Sequence, residues 1–284
     1  MSKRRYWALG LVAALMLVAT ACAEDKQPGG QATPTAAETT EEAPQVTTIK
    51  EGVLQVGSCL DYPPFESVEG GDEVGFDVDL AEAIAERLGL TVEWVRADFD
   101  TIFTAVASDQ FDMVAAASTI NEEREAVVDF SDPYYNSRQA LVVNTAETPD
   151  IAAQADLGEG HIVGVQKGTT GQAWAKENLV PQGVELKTFQ AAPDAFRDLE
   201  AGAIAAVVND EPSSAEIIAD LQGLEIVEAI DTNEKYGFAF SPNNPELREA
   251  ANGALEELIA DGTYTTIFET YFPGVEVPAE FQPA

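Results

Sequence analysis

"FDVDLAEAIAERLGLTVEWV", residues 76–95, reads as a helix that hands directly on to a strand. Leu80, Ala81, Ile84, Ala85 and Leu88 recur at three- and four-residue spacing, so they share one helical face. Asp77 is placed to cap the start of that helix and Gly89 to end it. "TVEWV" then supplies the β-branched and aromatic residues of a strand, and "GVLQVGS" at 52–58 supplies another upstream. Strand, helix, strand is the repeating unit of a parallel sheet with crossover connections, which makes this an α/β fold.

Further along, the pattern returns. Phe103, Val106, Asp109 and Phe111 before "MVAAAS" (113–118) have the spacing of Phe196, Leu199, Gly202 and Ile204 before "AVVND" (206–210). One reading is a generic helix, turn and strand met twice. The other is two similarly built lobes whose polar strand ends, Ser118 and Thr119 in one and Asn209 and Asp210 in the other, face a shared crevice, where open α/β sheets bind ligands.

The 284 residues, 45% hydrophobic and 23% charged, suffice for one large or two modest domains with true cores. Lys and Arg number 15 against 50 Asp and Glu, a net charge of −35 that argues against nucleic acid or anionic lipid surfaces as partners. Lys3, Arg4 and Arg5 precede an apolar run from Trp7 to Ala19 that is short for a membrane span, so residues 1–21 read as a signal peptide. "VATAC" (18–22) resembles the lipobox of bacterial lipoproteins, with Cys22 as the lipidated residue. Ala19 stands where leucine is usual, which leaves a plain secretory signal as the alternative. Removing residues 1–21 takes away three cations and no acid, changing −35 to −38. Residues 22–48 form the lipidated cysteine and a disordered Thr/Pro/Ala/Glu-rich tether, which as a flexible coil spans roughly 25–30 Å. With Cys22 acylated, Cys59 stands alone and reads as a buried, inert thiol.

The candidates for chemistry are few. His161 is the only histidine, so no His pair or Ser-His-Asp set can be assembled, and no metal or cofactor is expected. "QKGTTGQ" (166–172) lacks the phosphate-loop pattern; it is either a bare turn or a set of amides suited to a small carboxylate. "STINEEREAVVDFSDPYY" (118–135) sets Arg124 among acids just past a Thr119/Glu122 capping-box pattern that predicts a helix start. Arg124 is then either an ordinary surface ion pair or a guanidinium awaiting a ligand carboxylate.

"YPPFE" (62–66), "VGFDVDLAEAIAERLGL" (74–90), "FDMVAAASTINEER" (111–124), "VVDFSDPYY" (127–135), "GVQKGTTGQ" (164–172), "VVNDEP" (207–212) and "IADGTYTTIFETYF" (259–272) resemble, in order, the segments of family 3 extracellular solute-binding proteins. These are amino-acid receptors of ABC importers. The resemblance implies a two-lobed, periplasmic-binding-protein-like (type II) fold with a hinge: lobe 1 from 49–138 and 234–274, lobe 2 from 139–233, and a loose tail over 275–284. It implies that Arg124 clamps a ligand α-carboxylate with the backbone at Thr119 and Thr170. Asp210 would take the α-ammonium with the Thr119 hydroxyl, and Tyr62 and Phe99 would flank the side chain.

Departures from the family bear on specificity. Cys59 replaces an aspartate usual in receptors for basic amino acids or glutamine, and Ala117 offers only its carbonyl. Asp61 is either a replacement acid in the pocket or a solvated loop residue, while Gln166 and Asn209 would add amide donors. The expected ligand is a polar amino acid such as glutamine, with a basic one as the alternative and an acidic one disfavoured unless Lys167 points inward. The implied protein is a monomer on the extracytoplasmic face, lipid-anchored, that delivers the ligand to an ABC permease and is not an enzyme. The enzymatic alternative, an arogenate or prephenate dehydratase, needs a general acid, for which Asp61 is the nearest candidate.

Overall fold

The computed structural model describes residues 46–283. The signal peptide, Cys22 and the tether as far as residue 45 lie outside them. In chain order the first elements are β1 (Val53–Ser58), the hairpin β2 (Ser67–Glu69) and β3 (Asp72–Val74), α1 (Phe76–Arg87), β4 (Thr91–Arg96), α2 (Phe99–Ala107), β5 (Met113–Val114), α3 (Glu122–Glu125) and β6 (Asp129–Phe130). There follow β7 (Tyr135–Asn144), β8 (Ile162–Gln166), α4 (Thr170–Asn178), β9 (Glu185–Phe189), α5 (Ala192–Glu200), β10 (Ala206–Asp210), α6 (Glu211–Ala219), β11 (Leu224–Tyr236), β12 (Ala239–Phe240), α7 (Pro245–Ala260) and α8 (Thr263–Tyr271).

Two five-stranded sheets result, ordered β4-β1-β5-β12-β6 and β11-β7-β10-β8-β9. In the first, β1 is parallel to β4 (Val53↔Thr91) and to β5 (Val56↔Met113), with α1 and α2 as the crossovers. In the second, β8 is parallel to β9 and β10, with α4 and α5 in that role. The repeated spacing read from sequence marks equivalent corners: α2 and α5 each end at a left-handed residue, Asp109 (φ 55°) and Gly202 (φ 67°), before a buried strand.

The chain passes between sheets twice, at the start of β7 and the end of β11, and these segments pair with each other (Tyr135↔Tyr236, Ser137↔Glu234). A bridge from Thr119 to Tyr236 ties the end of the first sheet to the same place. The boundaries 138/139 and 233/234 fall inside β7 and β11. Two lobes therefore share one paired, two-strand connection.

As the spacing predicts, Leu80, Ala81, Ile84, Ala85 and Leu88 of α1 are buried. Gly89 follows the helix with φ 69°, and its N–H donates to Glu86 O. Asp77, however, is not the cap. Gly75 is, at φ 142°, and a Cβ there would collide with the Phe65 carbonyl because α1 begins hard against the Pro64–Phe65 turn. Asp77 is the second residue of the helix, within its first turn, and is fully buried.

The helix expected to start at Thr119 also begins later. Asn121 caps α3 by accepting from Arg124 N at 2.9 Å, since Thr119 is held in the extended bridge to β11. Nor is the C-terminal tail loose. Val277 and Phe281 are buried, the Phe281 ring lies 5.5 Å from that of Tyr264, and Asn136 Nδ2 donates to Glu280 at 2.7 Å. Residues 46–48, assigned to the tether, likewise lie against the fold: Thr47 O accepts from Asn244 Nδ2 at 2.9 Å.

Candidate functional site

The carboxyl ends of β1 and β5 from one sheet, and of β8 and β10 from the other, converge on a cleft between the lobes. Backbone strain marks two of these ends: Leu60 (φ 56°) after β1 and Ala117 (φ 44°) after β5 are non-glycine residues in the left-handed region. Asp77 supports the second bend from behind, its Oδ2 accepting from Ala117 N and from Tyr134 Oη, each at 2.8 Å. Burial pushes the Asp77 carboxyl up to about 7, against the pull of those two donors.

A cavity with about 320 Å³ of atom-free space occupies this junction, at the small end of ligand sites. Cys59, Tyr62, Glu66, Phe99, Ala117, Thr119, Arg124, Gln166, Thr170 and Asp210 line it, together with Ala116 and Thr169. Nine of the eleven residues singled out from sequence are thus on one wall or another. Asn209 stands just behind, its Oδ1 3.0 Å from Tyr62 Oη and its Nδ2 3.2 Å from Ser214 Oγ. Asp61 lines an adjoining cavity with Arg96, Asp98 and Gln190, and pairs with Arg96 at 3.4 Å. Lys167 turns to the rim, where it pairs with Asp100 at 2.8 Å.

Arg124 is buried, with its guanidinium carbon 4.6 Å from the Phe103 ring centre and 5.2 Å from that of Phe99. It donates to two carbonyls, Thr119 O at 2.7 Å and Gly168 O at 3.3 Å, and to no carboxylate. Burial lowers its pKa to about 10, partly offset by Asp210 and Glu234, so the group is cationic at neutral pH. Beside it, Thr170 opens α4, and the amides of a first helical turn have no intrahelical acceptor. A cation and free amides side by side suit a carboxylate.

Asp210 opens α6 without capping it. Its Oδ2 accepts from Tyr62 Oη (2.9 Å) and Tyr236 Oη (2.6 Å), and its Oδ1 from Gln139 Nε2. Burial, reinforced by the charge of Glu234, raises its carboxyl to about 7 in spite of those donors. An approaching cation would stabilise the ionised form.

Three residues of this junction escape a reading of the sequence. Glu234 is buried in β11 and accepts from Thr119 Oγ1 at 2.5 Å, Thr170 Oγ1 at 2.7 Å and Gln139 Nε2 at 2.9 Å. Both threonine hydroxyls therefore spend their protons on Glu234 and keep lone pairs for a donor. A signal existed: Ile230, Thr232, Glu234 and Tyr236 alternate with exposed Asp231, Asn233 and Lys235, so period two places Glu234 inward. Gln139 is fully buried in β7 for the same geometric reason. Glu66 is 1% exposed because "YPPFE" folds back, with Tyr62 N donating to Glu66 O at 2.7 Å. Nothing in its local sequence announces that. Burial, then the charges of Asp77, Asp61 and Asp210, drive its carboxyl well above the usual range. Burial likewise raises Cys59, which stays a thiol.

A family model described as bacterial extracellular solute-binding proteins, family 3, matches residues 54–274. The histidine-binding periplasmic protein of Escherichia coli strain K12 is 30% identical over 228 residues, covering 77% of this chain and 87% of that one. Two solved structures of an ancestral arginine-binding protein superpose closely. The one bound to arginine has a TM-score of 0.74 at 41% identity, covering 78% of this chain and 98% of that one. The one bound to glutamine has a TM-score of 0.74 at 42% identity, with 78% and 99% covered.

Proposed function

The chain belongs to family 3 of the bacterial extracellular solute-binding proteins, and from that premise we propose that it captures one free L-amino acid with a polar or basic side chain and passes it to an ABC permease. The observation that carries this reading is the pairing of Arg124 and Asp210 across one buried cavity, one from each lobe, with no ion pair between them. An α-amino acid in its zwitterionic form presents a carboxylate and an ammonium at fixed separation. Arg124 with the amides at Thr119 and Thr170 suits the first end. Asp210 suits the second, with the lone pairs of the Thr119 hydroxyl beside it.

Either protein charge alone in such a site is costly, and the ligand joins them through itself. Closure of the lobes then follows from ligand contacts that exist in full only when both halves are in place. No bond is made or broken in this reading, so the protein acts as a carrier and not as a catalyst.

The residues outside the structure complete the proposal. Cleavage before Cys22 and acylation there would hold a monomer on the extracytoplasmic face, within reach of the permease. Among the described residues no helix is long and apolar enough to cross a membrane.

Thermal-shift screening of the twenty amino acids, ornithine and citrulline tests the reading directly, followed by calorimetry on Arg124→Ala. The expected result is stabilisation by a small subset of these compounds. The variant keeps its fold and loses about 2–5 kcal/mol of affinity, because a buried charge pair has been broken. Unchanged affinity in that variant would remove Arg124 from the site.

A further inference from the structure

Glu234 is buried beside the ligand cavity but does not line it. A carboxylate has about four acceptor positions, and the fold supplies a donor to each of them. Oε1 accepts from Gln139 Nε2 at 2.9 Å and Thr232 Oγ1 at 2.8 Å; Oε2 accepts from Thr119 Oγ1 at 2.5 Å and Thr170 Oγ1 at 2.7 Å. Nothing is left over for a ligand, so whatever Glu234 does is done to the protein.

The origin of the donors shows what that is. Thr119 follows the first sheet in lobe 1, Thr170 opens α4 in lobe 2, and Glu234 stands between them on the connection the lobes share. One oxygen atom therefore takes a hydroxyl from each lobe. That arrangement exists only while the cleft is shut, because parting the lobes draws at least one hydroxyl away. Hydrogen bonds to a charged acceptor are roughly twice as strong as neutral ones, so the loss is not trivial.

The backbone is bent to put Glu234 there. The pairing of β11 with β7 slips between Ile230↔Gln139 and Glu234↔Ser137, so that Asp231, Thr232 and Asn233 stand opposite Arg138 alone. Asn233, the last residue of this bulge, is left-handed at φ 50°, and its N–H donates to Asp231 Oδ1 at 3.2 Å. A bulge of this kind re-aims the side chain that follows it, at a cost in backbone strain that the four bonds to Glu234 offset.

We propose that Glu234 is a clasp between the lobes: by holding Thr119 and Thr170 on one oxygen it keeps part of the ligand-free population closed, with both residues already set for the head group. This rests on the amino-acid reading above for the identity of the ligand, but not for the closure itself. Glu234 is a positioning residue, and its effect on binding runs through the closed fraction, to which apparent affinity is proportional.

Spin labels at Glu86→Cys in α1 and Glu177→Cys in α4, exposed positions in different lobes, read the lobe separation; Cys22→Ala leaves buried Cys59 as the only other thiol. In this labelled parent without ligand, the expected distribution contains a longer distance and also the short one that saturating L-arginine or L-glutamine makes dominant. Thr170→Val, which keeps the α4 amide, and Glu234→Met should each deplete the ligand-free short distance about 10-fold and weaken binding by at least that factor, as expected for losing a hydrogen bond to a charged group. Glu234→Gln, which returns one acceptor oxygen to the threonines, should recover part of both. A ligand-free parent found only at the longer distance overturns the clasp. So does a folded Thr170→Val with the parent's distribution, and this variant decides the matter if Glu234→Met does not fold. A lower melting temperature with unchanged distances makes Glu234 purely structural and overturns the proposal as well. Because the distances are read without ligand, a parent that refuses every amino acid overturns the function reading alone.

Discussion

Arg124 and Asp210 are both buried, yet burial treats them differently. Arg124 falls only to about 10 and keeps its charge at neutrality, whereas Asp210 rises to about 7 and is part-protonated there. A ligand ammonium favours the ionised carboxylate, so binding should expel up to about one proton from Asp210 between its ordinary value and about pH 7. Calorimetry at pH 6 in two buffers of different ionisation enthalpy reads that proton directly, and affinity should weaken as pH falls below about 7. Asp210→Asn should abolish both the release and the dependence. The sign for stability runs the other way in the ligand-free protein: a raised folded-state pKa helps below about pH 4 and its contribution is lost as pH rises through about 7. Asp77 adds to the same window. Arg124 and Asp210 were legible in the sequence because the resemblance gives each a role. Glu66, although it closes "YPPFE", and Glu234 were given none, because a glutamate looks alike on a solvated turn and on the floor of a cleft.

At the scale of elements, hydrophobic periodicity was a reliable guide and polar capping patterns were not. The apolar face of α1 depends only on spacing along one helix. Asp77, by contrast, serves Ala117 and Tyr134, residues 40 and 57 positions away, and Gly75 begins the helix because the Phe65 carbonyl leaves no room for a side chain. The C-terminal segment makes the same point. "PGVEVPAEFQPA" has no periodicity of its own, yet Phe281 packs on Tyr264 of α8 with 4% of its surface exposed. Phe281→Ala should therefore destabilise the fold by about 3 kcal/mol, measured by denaturant unfolding. Amino-acid affinity should be unaffected, since the residue lies outside the cavity lining.

Across the whole molecule, several contacts span the cleft between lobes. Arg124 Nη2 reaches Gly168 O, Lys167 pairs with Asp100 at the rim, and Glu234 accepts from threonines on either side. The rim pair is exposed and screened by salt, so it adds little to closure. The central contacts are buried and converge on the place assigned to the ligand head group. A saturating ligand should shift the population toward the closed form, seen as a smaller radius of gyration in solution scattering. Arg124→Ala should lose that compaction at the same ligand concentration, and an unchanged scattering profile in the wild type would count against closure as the response.

The sequence alone determined the α/β class, the repeated helix-turn-strand unit and the family, and it singled out the two charges proposed for a head-group clamp. All of these rest on local spacing or on motifs in fixed order, which survive without knowledge of what packs on what. The structure decided which strands carry the hinge, that the tail is packed, that Asp61 faces an adjoining cavity, and that Glu66 and Glu234 sit beside the clamp. Those outcomes turn on burial and on charges brought together from distant positions. A carboxylate's chemistry is set by its solvent and its neighbours, and the chain acquires both only when the two sheets meet.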